Sequence, residues 1–345
     1  MTPTLTSNKP VVADAHAGQQ LLSKMIGGWV TQAVHVAAEL GIPDLLARGP
    51  QTAEELADQA DAHSEALYRM LRALASVGIF DEDADGRFSL TPLSNCLRSD
   101  ARNSLRAFGI MMGAEFYDAW GELLYSVRTG KPGFDKRFGA PFFEYMTEHP
   151  DRHAIYDAAM MVHGIAETEP MLDAYDFSVF GSVVDVGGGH GRMLAAIVER
   201  YPGVEGILFD LPPVADRARA ILSETDLSER CRVVGGDFFR SVPSADAYVL
   251  RHILHDWDDA EAVAILRNCG RAMNPGGRVL VVETVIPPLT QPCFGKWLDL
   301  MMLIVGGRER TAEQYHRLFS QAGLALHRIV PTAHEVSIVE AVRAT

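Results

Sequence analysis

A glycine-rich segment constrains the fold of this chain more than any other feature. The residues VVDVGGGHG, from Val183 to Gly191, begin as an apolar run typical of a buried strand and pass directly into a turn. A helical pattern follows, with one apolar face formed by Met193, Leu194, Ile197 and Val198. The order of strand, glycine turn and helix is how an α/β sheet builds a nucleotide-type pocket at the carboxyl ends of its strands.

The spacing of the glycines indicates which kind of cofactor this pocket takes. The pattern is G-x-G-x-G, one residue shorter than the G-x-G-x-x-G that binds a dinucleotide pyrophosphate, so a dehydrogenase is disfavoured. The strand before it carries Asp185, and no lysine is near in sequence. Such a loop suits a cofactor with an adenosine, an amino-acid tail and a positive charge. S-adenosylmethionine fits this description.

Acidic residues at the ends of the next two strands support this interpretation. One apolar run ends at Asp210, about 20 residues after the loop, where an acid can accept hydrogen bonds from ribose hydroxyls. Another ends near Asp237 and Phe238, which we expect beside the adenine. The alternative is that each aspartate caps the following helix, Asp210 before Leu211 especially.

Length, charge and cysteine content limit the classes of function. A chain of 345 residues suits roughly two domains. The net charge of −14 argues against nucleic acid and anionic membranes as partners, because phosphates need a basic surface. Four cysteines without a C-x-x-C pair suggest reduced thiols and a cytoplasmic location. The longest apolar run, residues 300–305, is too short to cross a bilayer.

The pattern of apolar residues divides the chain into four regions. We expect a flexible tail, a winged-helix-like dimerisation domain, a helical linker that roofs the substrate, and a Rossmann-like catalytic domain, at residues 1–17, 18–100, 101–175 and 176–345. In the last region, strands alternate with helices, and two final strands form an antiparallel hairpin at a sheet edge. The fold class is therefore α/β.

The winged-helix prediction depends on three helices followed by a hairpin. Residues 29–40 form the first helix, Thr52 caps the second, residues 64–77 form the third, and Asp85-Gly86 marks the hairpin turn. Such a unit binds DNA or mediates packing between subunits. The third helix offers only Arg69 and Arg72 as cations, which favours the second role.

Apolar residues of the first helix predict a homodimer. Trp29, Val30, Val34 and Val36 supply more apolar surface than so small a unit can bury alone.

The substrate is expected to be flat and apolar. The region 101–175 is rich in methionine and aromatic residues, which adapt well to planar rings. The candidate substrate residues, from this region and from a later apolar segment, are Trp120, Phe143, Met160, His163, Trp297, Met301 and Met302.

His255 is the candidate general base. It follows the fourth strand of the catalytic region, at the edge of the sheet where sites form. A phenol, with a pKa of about 10, is a weak nucleophile until a neutral imidazole takes its proton. A carboxylate on the other ring nitrogen would fix the tautomer, and both Glu283 and Glu309 are candidates for that role. Asp256 is adjacent, but its side chain can point elsewhere.

Two other roles are open to this histidine. It could cap the helix that starts beyond Asp256, or it could form a metal site with His252. A His-x-x-His-Asp sequence at a strand end lacks convincing ligand geometry, so no metal is expected.

Six motifs together resemble those of a known family: VVDVGGGHG, FDLPPV, GGDFF, LRHILHDWDD, NPGGRVLVVE and GGRERT. The chain resembles the S-adenosylmethionine-dependent small-molecule O-methyltransferases, both the plant caffeate- and flavonoid-type enzymes and the bacterial enzymes that tailor antibiotics and phenazines. The resemblance implies a winged-helix dimerisation domain, a homodimer and His255 as the base, flanked by Glu283 and Glu309. The expected cofactor residues are Asp185, Gly187, Gly189, Asp210, Leu211, Asp237, Phe238, Arg251 and Trp257. Arg251 stands where a lysine is common in the family.

Two alternatives remain beside an O-methyltransferase acting on an aromatic hydroxyl in secondary metabolism. An enzyme of this fold could bind S-adenosylmethionine and yet hydroxylate or decarboxylate, although retention of His255 and its glutamates argues against that. A winged-helix regulator that senses S-adenosylmethionine would need a more basic surface than this chain has.

Overall fold

The computed structural model describes residues 15–223 and 229–344 in two compact units. One unit ends at Glu115 and the other begins at Phe116. The helical region expected at residues 101–175 is thus divided between them. Most of the tail expected at residues 1–17 lies outside the described residues.

The first unit is mainly helical, with one small sheet. Its helices are α1 (Ala15–Met25), α2 (Gly27–Glu39), α3 (Ile42–Leu46), α4 (Ala53–Ala60), α5 (Ser64–Ala75), α6 (Pro92–Asn95) and α7 (Arg106–Gly113). Its strands are β1 (Gln51–Thr52), β2 (Phe80–Glu82) and β3 (Arg87–Leu90), with β3 in the middle.

The local signals of the first unit produce the elements they predict. Thr52 caps α4 by accepting from the Glu55 amide, while the Glu55 carboxylate accepts from the Thr52 amide. Strands β2 and β3 form an antiparallel hairpin whose loop ends at Gly86, with φ +72°. The predicted order of helices followed by a hairpin is confirmed.

The second unit begins with short helices and one long helix, and continues as alternating strands and helices. Its helices are α8 (Glu115–Trp120), α9 (Leu123–Thr129), α10 (Gly133–Phe138), α11 (Phe142–Glu148), α12 (Pro150–Ala174), α13 (Arg192–Arg200), α14 (Pro212–Ser223), α15 (Asp259–Ala272), α16 (Gly295–Val305) and α17 (Ala312–Ala322). Its strands are β4 (Ser182–Val186), β5 (Glu205–Asp210), β6 (Cys231–Gly235), β7 (Ala245–Arg251), β8 (Met273–Glu283), β9 (Val285–Ile286), β10 (Arg310–Thr311), β11 (Leu324–Pro331) and β12 (Ser337–Arg343).

Seven of these strands form one sheet, in the order β11-β12-β8-β7-β4-β5-β6. The five strands from β8 to β6 are parallel, and β12 is antiparallel to both of its neighbours. The predicted α/β class and the antiparallel pair at one edge are confirmed. The strand order reverses at β4, with β5 on one side and β7 on the other, which is where α/β sheets bind ligands. The glycine-rich loop follows this strand.

Apolar clusters cover both faces of the sheet. One face packs against α15 and α17, and the other against α13. The four apolar residues predicted to face inward from α13 are all buried. Within the described ranges, no helix combines the length and the apolar character needed to cross a membrane.

The start of β8 differs from the sequence prediction. We expected residues 274–277 to form a turn before a strand at residues 278–282, but β8 already begins at Met273. Met273 pairs with Ala245, and the next pair joins Arg278 to Ala247, so the intervening residues form a bulge. Gly276 has φ +79°, and its lack of a side chain allows this conformation inside the strand.

Candidate active site

The glycine-rich loop presents an open backbone surface at Gly189. The amide of Gly187 donates to the Phe209 carbonyl of β5 at 2.8 Å, which joins the loop to the sheet. A Cβ atom at Gly187 would lie 2.4 Å from the Ile253 side chain, whereas one at Gly189 would meet nothing within 4 Å. The first glycine is therefore required by packing, and the second faces free space.

Asp185 lies below this loop as a buried carboxylate. It is 2% exposed, and its Oδ2 has no hydrogen-bond partner among the described residues. Burial raises the pKa of Asp185 to about 7, against the opposing effect of the nearby Arg251 charge. A bound cation or hydrogen-bond donor would relieve this desolvation.

Asp210 connects the end of β5 to the same loop. Its Oδ2 accepts from the Gly189 amide at 2.9 Å, and its Oδ1 accepts from the Leu211 amide at 2.7 Å. Burial raises the pKa of Asp210, and these two backbone donors oppose that effect. Each carboxylate oxygen keeps a second lone pair for a further donor. The side chain of Leu211 is 54% exposed.

Aromatic rings gather after β6 and β7. The Phe238 and Trp257 rings meet edge to face with centroids 5.9 Å apart, and Phe239 lies 4.8 Å from Trp257. Asp237 turns the chain here, because its Oδ1 accepts from the Phe239 amide at 2.8 Å. The structure thus brings Phe238 and Trp257 together and adds Phe239, which the sequence analysis missed although it is the second phenylalanine of GGDFF.

Arg251, at the end of β7, contacts α12. Its Nη1 donates to the Gly164 carbonyl at 2.8 Å and to Thr168 Oγ1 at 3.0 Å. A Cβ atom at Gly164 would lie 2.9 Å from Arg251 Nη2, so this glycine makes room for the guanidinium.

His255 lies in a 3₁₀ turn, Leu254–Asp256, directly beyond β7. It is 9% exposed, and its Nδ1 is 2.7 Å from Glu309 Oε1. A carboxylate accepts only, so Nδ1 carries the proton and Nε2 is the acceptor in the neutral ring. Asp256 Oδ1 lies 3.5 Å from Nε2, so this side chain does face the histidine.

The carboxylates around His255 control its charge. Burial by itself lowers the pKa of His255, but Asp256, Glu309 and Glu283 outweigh it and raise the pKa to about 10. Burial raises the pKa of Asp256 to about 6, and the His255 charge opposes that rise. These carboxylates therefore favour the protonated form of the imidazole.

Glu283 contacts the backbone of the turn and not the imidazole ring. Its Oε1 accepts from the amides of Ile253 and His255 at 3.1 and 3.0 Å, and its Oε2 accepts from the Tyr315 hydroxyl. We had considered both glutamates for the far ring nitrogen, and the structure places only Glu309 there. The reason is register, since Glu283 ends β8 next to the last residues of β7.

Arg310 is a residue of this site that the sequence analysis missed. It is fully buried and donates to the carbonyls of Leu254 and Trp257 at 2.7 and 2.9 Å, and to Asp259 Oδ1 at 3.0 Å. These bonds span the turn that carries His255. The available signal was the second arginine of GGRERT, one residue after Glu309.

A small parallel sheet brings the two halves of this site together. Strand β10, which starts at Arg310, pairs with β9, which follows Glu283 by two residues. The Arg308 amide also donates to the His255 carbonyl at 2.7 Å, and a Cβ atom at Gly307 would lie only 2.0 Å from that oxygen. The segment GGRERT therefore packs directly on the turn.

The predicted substrate residues differ in their exposure and in their neighbours. Met302 is 6% exposed and packs at Gly307, beside the His255 turn. The Phe143 ring is 49% exposed and lies 6.5 Å from that of Tyr156. Trp297 is 66% exposed. Three further candidates, Trp120, Met160 and Met301, are half-buried. The side chain of the last candidate, His163, lies outside the described part of the structure.

Tyr156 is a further residue near the base that the sequence did not indicate. Burial raises its pKa, and the charge of Asp256 raises it further. Tyr156 lies one helical turn before Met160 on α12, so the two side chains lie on the same side of this helix.

His252 pairs with a glutamate of α12. Its Nε2 contacts both carboxylate oxygens of Glu167, at 3.0 and 2.9 Å. Within residues 15–223 and 229–344, no three histidine, cysteine or acidic side chains are grouped so as to hold a metal ion.

Fold and site together define an α/β enzyme with a nucleotide-type pocket beside a buried carboxylate–histidine pair. Residues 120–325 match the family model described as an O-methyltransferase domain, and residues 23–100 match an O-methyltransferase dimerisation domain. The chain belongs to the O-methyltransferase family, a class of S-adenosylmethionine-dependent enzymes.

Its relatives include enzymes of bacterial antibiotic and phenazine biosynthesis. A phenazine O-methyltransferase from Lysobacter antibioticus is 46% identical, over 93% of this chain and 95% of the relative. A mitomycin biosynthesis 6-O-methyltransferase from Streptomyces lavendulae is 38% identical over the full length of both chains.

A solved structure shows the same architecture with ligands. It is an O-methyltransferase from neocarzinostatin biosynthesis in complex with S-adenosylmethionine and 2-hydroxy-5-methyl naphthoic acid. The TM-score is 0.81 at 39% identity, covering 91% of this chain and 96% of the other.

Proposed function

We propose that this protein moves a methyl group from S-adenosylmethionine to a hydroxyl of an aromatic small molecule, as a step of bacterial secondary metabolism. The observation that carries the proposal is the buried His255–Glu309 pair at the carboxyl edge of the sheet. An imidazole held this way accepts a proton at Nε2, which is what attack by a phenol requires. The named activities of the relatives support the same reaction class.

The residues around the glycine-rich loop suit S-adenosylmethionine. The unpartnered Oδ2 of Asp185 favours a cationic or hydrogen-bond-donating group, and both oxygens of Asp210 have capacity for ribose hydroxyls. We assign the backbone of Gly187 and Gly189, together with Leu211, to the same ligand. We assign Asp237, Phe238 and Trp257 to the adenine side of the cofactor. Arg251, which is bonded to α12, has a supporting role in the same site.

This assignment predicts a loss of cofactor affinity on replacing Asp210. Asp210→Ala should weaken S-adenosylmethionine binding by ~1–3 kcal/mol, because ribose hydroxyls and the Gly189 amide lose their acceptor. Titration calorimetry gives the value. Asp246→Ala is a matched control, since that carboxylate also accepts backbone amides, those of Gly181 and Ser182 at the opposite end of β4. Equal affinity in the Asp210 variant and the wild type would remove Asp210 from the cofactor site.

The reaction needs few chemical groups from the protein. S-adenosylmethionine supplies, when bound, a methyl group on a positively charged sulfonium. His255 takes the hydroxyl proton at Nε2, and Glu309 stabilises the imidazolium through Nδ1. Glu283, Tyr315 and Arg310 hold the turn in place. Orienting the acceptor and excluding water provide most of the rate enhancement.

A pH profile tests the role of the carboxylates around the base. Because His255 accepts a proton only when neutral, and its pKa is raised to about 10, activity should rise with pH. After burial, Asp256 is the main group that sets this pKa, so Asp256→Asn should move the rising limb to lower pH. The measurement is kcat/KM for the acceptor over roughly pH 6 to 10 at saturating cofactor. Asp173→Asn, an exposed carboxylate, serves as control. An unmoved limb in the Asp256 variant would show that another group titrates.

Methyl-labelled S-adenosylmethionine identifies the acceptor class. The protein is incubated with hydroxyphenazines, naphthols, simple phenols and the matching aromatic amines, and transfer of label is measured. Label on an aromatic hydroxyl is expected. Label only on amines, or product formed without transfer of label, would overturn the proposed reaction. The residues that we expect to contact this acceptor are Trp120, Phe143, Met160, His163, Trp297, Met301 and Met302.

We further propose that the protein is a cytoplasmic homodimer. The first unit exposes large apolar side chains on α1 and α2, with Trp29 73% exposed and Met25 64% exposed. Exposed apolar surface of this kind marks interfaces, and the match to a dimerisation domain supports a second copy as the partner. All four cysteines are free, in keeping with a reducing compartment. Light scattering should give twice the 37.7 kDa chain mass.

A further inference from the structure

Two consecutive residues after β7 reach from the sheet to α12. Arg251 bonds the Gly164 carbonyl and Thr168 Oγ1, and His252 Nε2 contacts both oxygens of Glu167. Helix α12 is thus joined to the segment that, three residues later, carries His255.

The contact between buried Glu167 and partly exposed His252 is costly to break. The Glu167 side chain is 1% exposed and that of His252 21% exposed, and His334 Nδ1 lies 4.0 Å from the same carboxylate. Removing one partner of such a hydrogen-bonded pair leaves the other without its partner. His252 also has φ +53°, a conformation uncommon for residues with a side chain. Its amide nevertheless continues the sheet by donating to the Val282 carbonyl at 3.2 Å.

The helix joined in this way bears residues that we assign to the acceptor. Met160 lies seven positions, about two turns, before Glu167, so both lie on one face of α12. Tyr156, one turn further, is affected by the charge of Asp256, which adjoins His255. The rings of His252 and His255 have centroids 5.1 Å apart. The pair therefore lies between the acceptor face of α12 and the base.

We propose that Glu167 and His252 form a positioning pair that sets the separation between the acceptor face of α12 and His255. The inference rests on the proposed function, because it requires Met160 to contact the acceptor and His255 to take its proton. Neither member of the pair touches the reacting atoms. Together they decide whether the hydroxyl lies within reach of Nε2, and a displacement of about 1 Å can reduce a rate by roughly 10²-fold.

The test compares single and double variants of the pair. Glu167→Ala and His252→Ala should each lower kcat by about 10–10²-fold, with the affinity for S-adenosylmethionine within about twofold of wild type. The double variant should lose little more than either single variant, because each single variant already breaks the contact between the two residues. His252→Gln should recover part of kcat, since its amide can donate where Nε2 does. Glu167→Gln keeps a hydrogen-bond acceptor for His252. It is measured as well, in case Glu167→Ala folds poorly.

A control substitution at a buried carboxylate elsewhere in the sheet distinguishes an effect on positioning from an effect on stability. Glu340, on β12, is 2% exposed and pairs with Arg278 and Arg328. Glu340→Gln should lower the melting temperature while kcat per folded molecule stays unchanged.

Three results would overturn the positioning role. These are wild-type kcat and KM in both Glu167→Ala and His252→Ala, losses that add in the double variant, or a lower melting temperature with unchanged kcat per folded molecule, as expected for Glu340→Gln. His255→Ala in the same assay tests the proposed function separately. Retained turnover in that variant would reject His255 as base, whereas the Glu167–His252 cycle would still report on the pair.

Discussion

Replacement of His255 by alanine is expected to lower methyl transfer by roughly 10²–10⁴-fold, the usual contribution of a general base. The affinity for S-adenosylmethionine should be nearly unchanged, because the contacts of the proposed cofactor residues do not involve the imidazole. A residual rate should remain from orientation alone. Single-turnover rates and calorimetry on the same variant measure the two quantities.

His327→Ala is the matched control for this experiment. His327 is an exposed histidine on β11, and its loss should leave both the rate and the affinity at wild-type values. A near-wild-type rate in His255→Ala would mean that the acceptor arrives already ionised and that proton removal is not limiting.

Elements that depend on local signals were predictable from the sequence. The alternating apolar run before Gly187, the cap at Thr52 and the inward face of α13 all formed as expected. Each depends on residues within one or two turns of one another, so a single stretch of sequence contains the cause. The bulge at the start of β8 was not foreseen, because it depends on the register against β7.

The partners of each functional group were harder to predict, because they come from distant segments. His255 and Glu309 are 54 residues apart, and the two strands β9 and β10 bring them together. Motif spacing indicated both residues but could not decide which glutamate holds the ring. The second arginine of GGRERT pointed to Arg310 but not to its role, since the role of a buried arginine is recognisable only when the carbonyls it satisfies are known. The same holds for Glu167 and His252, which are 85 residues apart.

The two glutamates beside the base should respond differently to substitution. Glu309→Gln keeps the size of the side chain but replaces a charge-assisted hydrogen bond to Nδ1 by a neutral one. Turnover should fall to a value between wild type and His255→Ala, by about 10–10²-fold, because the imidazolium loses its counter-charge. The fold should change little, since the ring still has an acceptor at 2.7 Å.

Glu283→Ala should instead unfold the site. It leaves the amides of Ile253 and His255 and the hydroxyl of Tyr315 without their acceptor in a fully buried position. Each unsatisfied group costs about 1–3 kcal/mol, so the free energy of unfolding should drop by at least ~3 kcal/mol. Denaturant unfolding gives that value, and kinetics on both variants give the rates.

If Glu283→Ala were as stable as wild type and impaired only in turnover, Glu283 would act on the chemistry as Glu309 does. Loss of stability in Glu309→Gln with normal turnover per folded molecule would exchange the two roles. The residue that holds the ring must affect proton transfer, whereas the residue that holds the backbone must affect the stability of the fold.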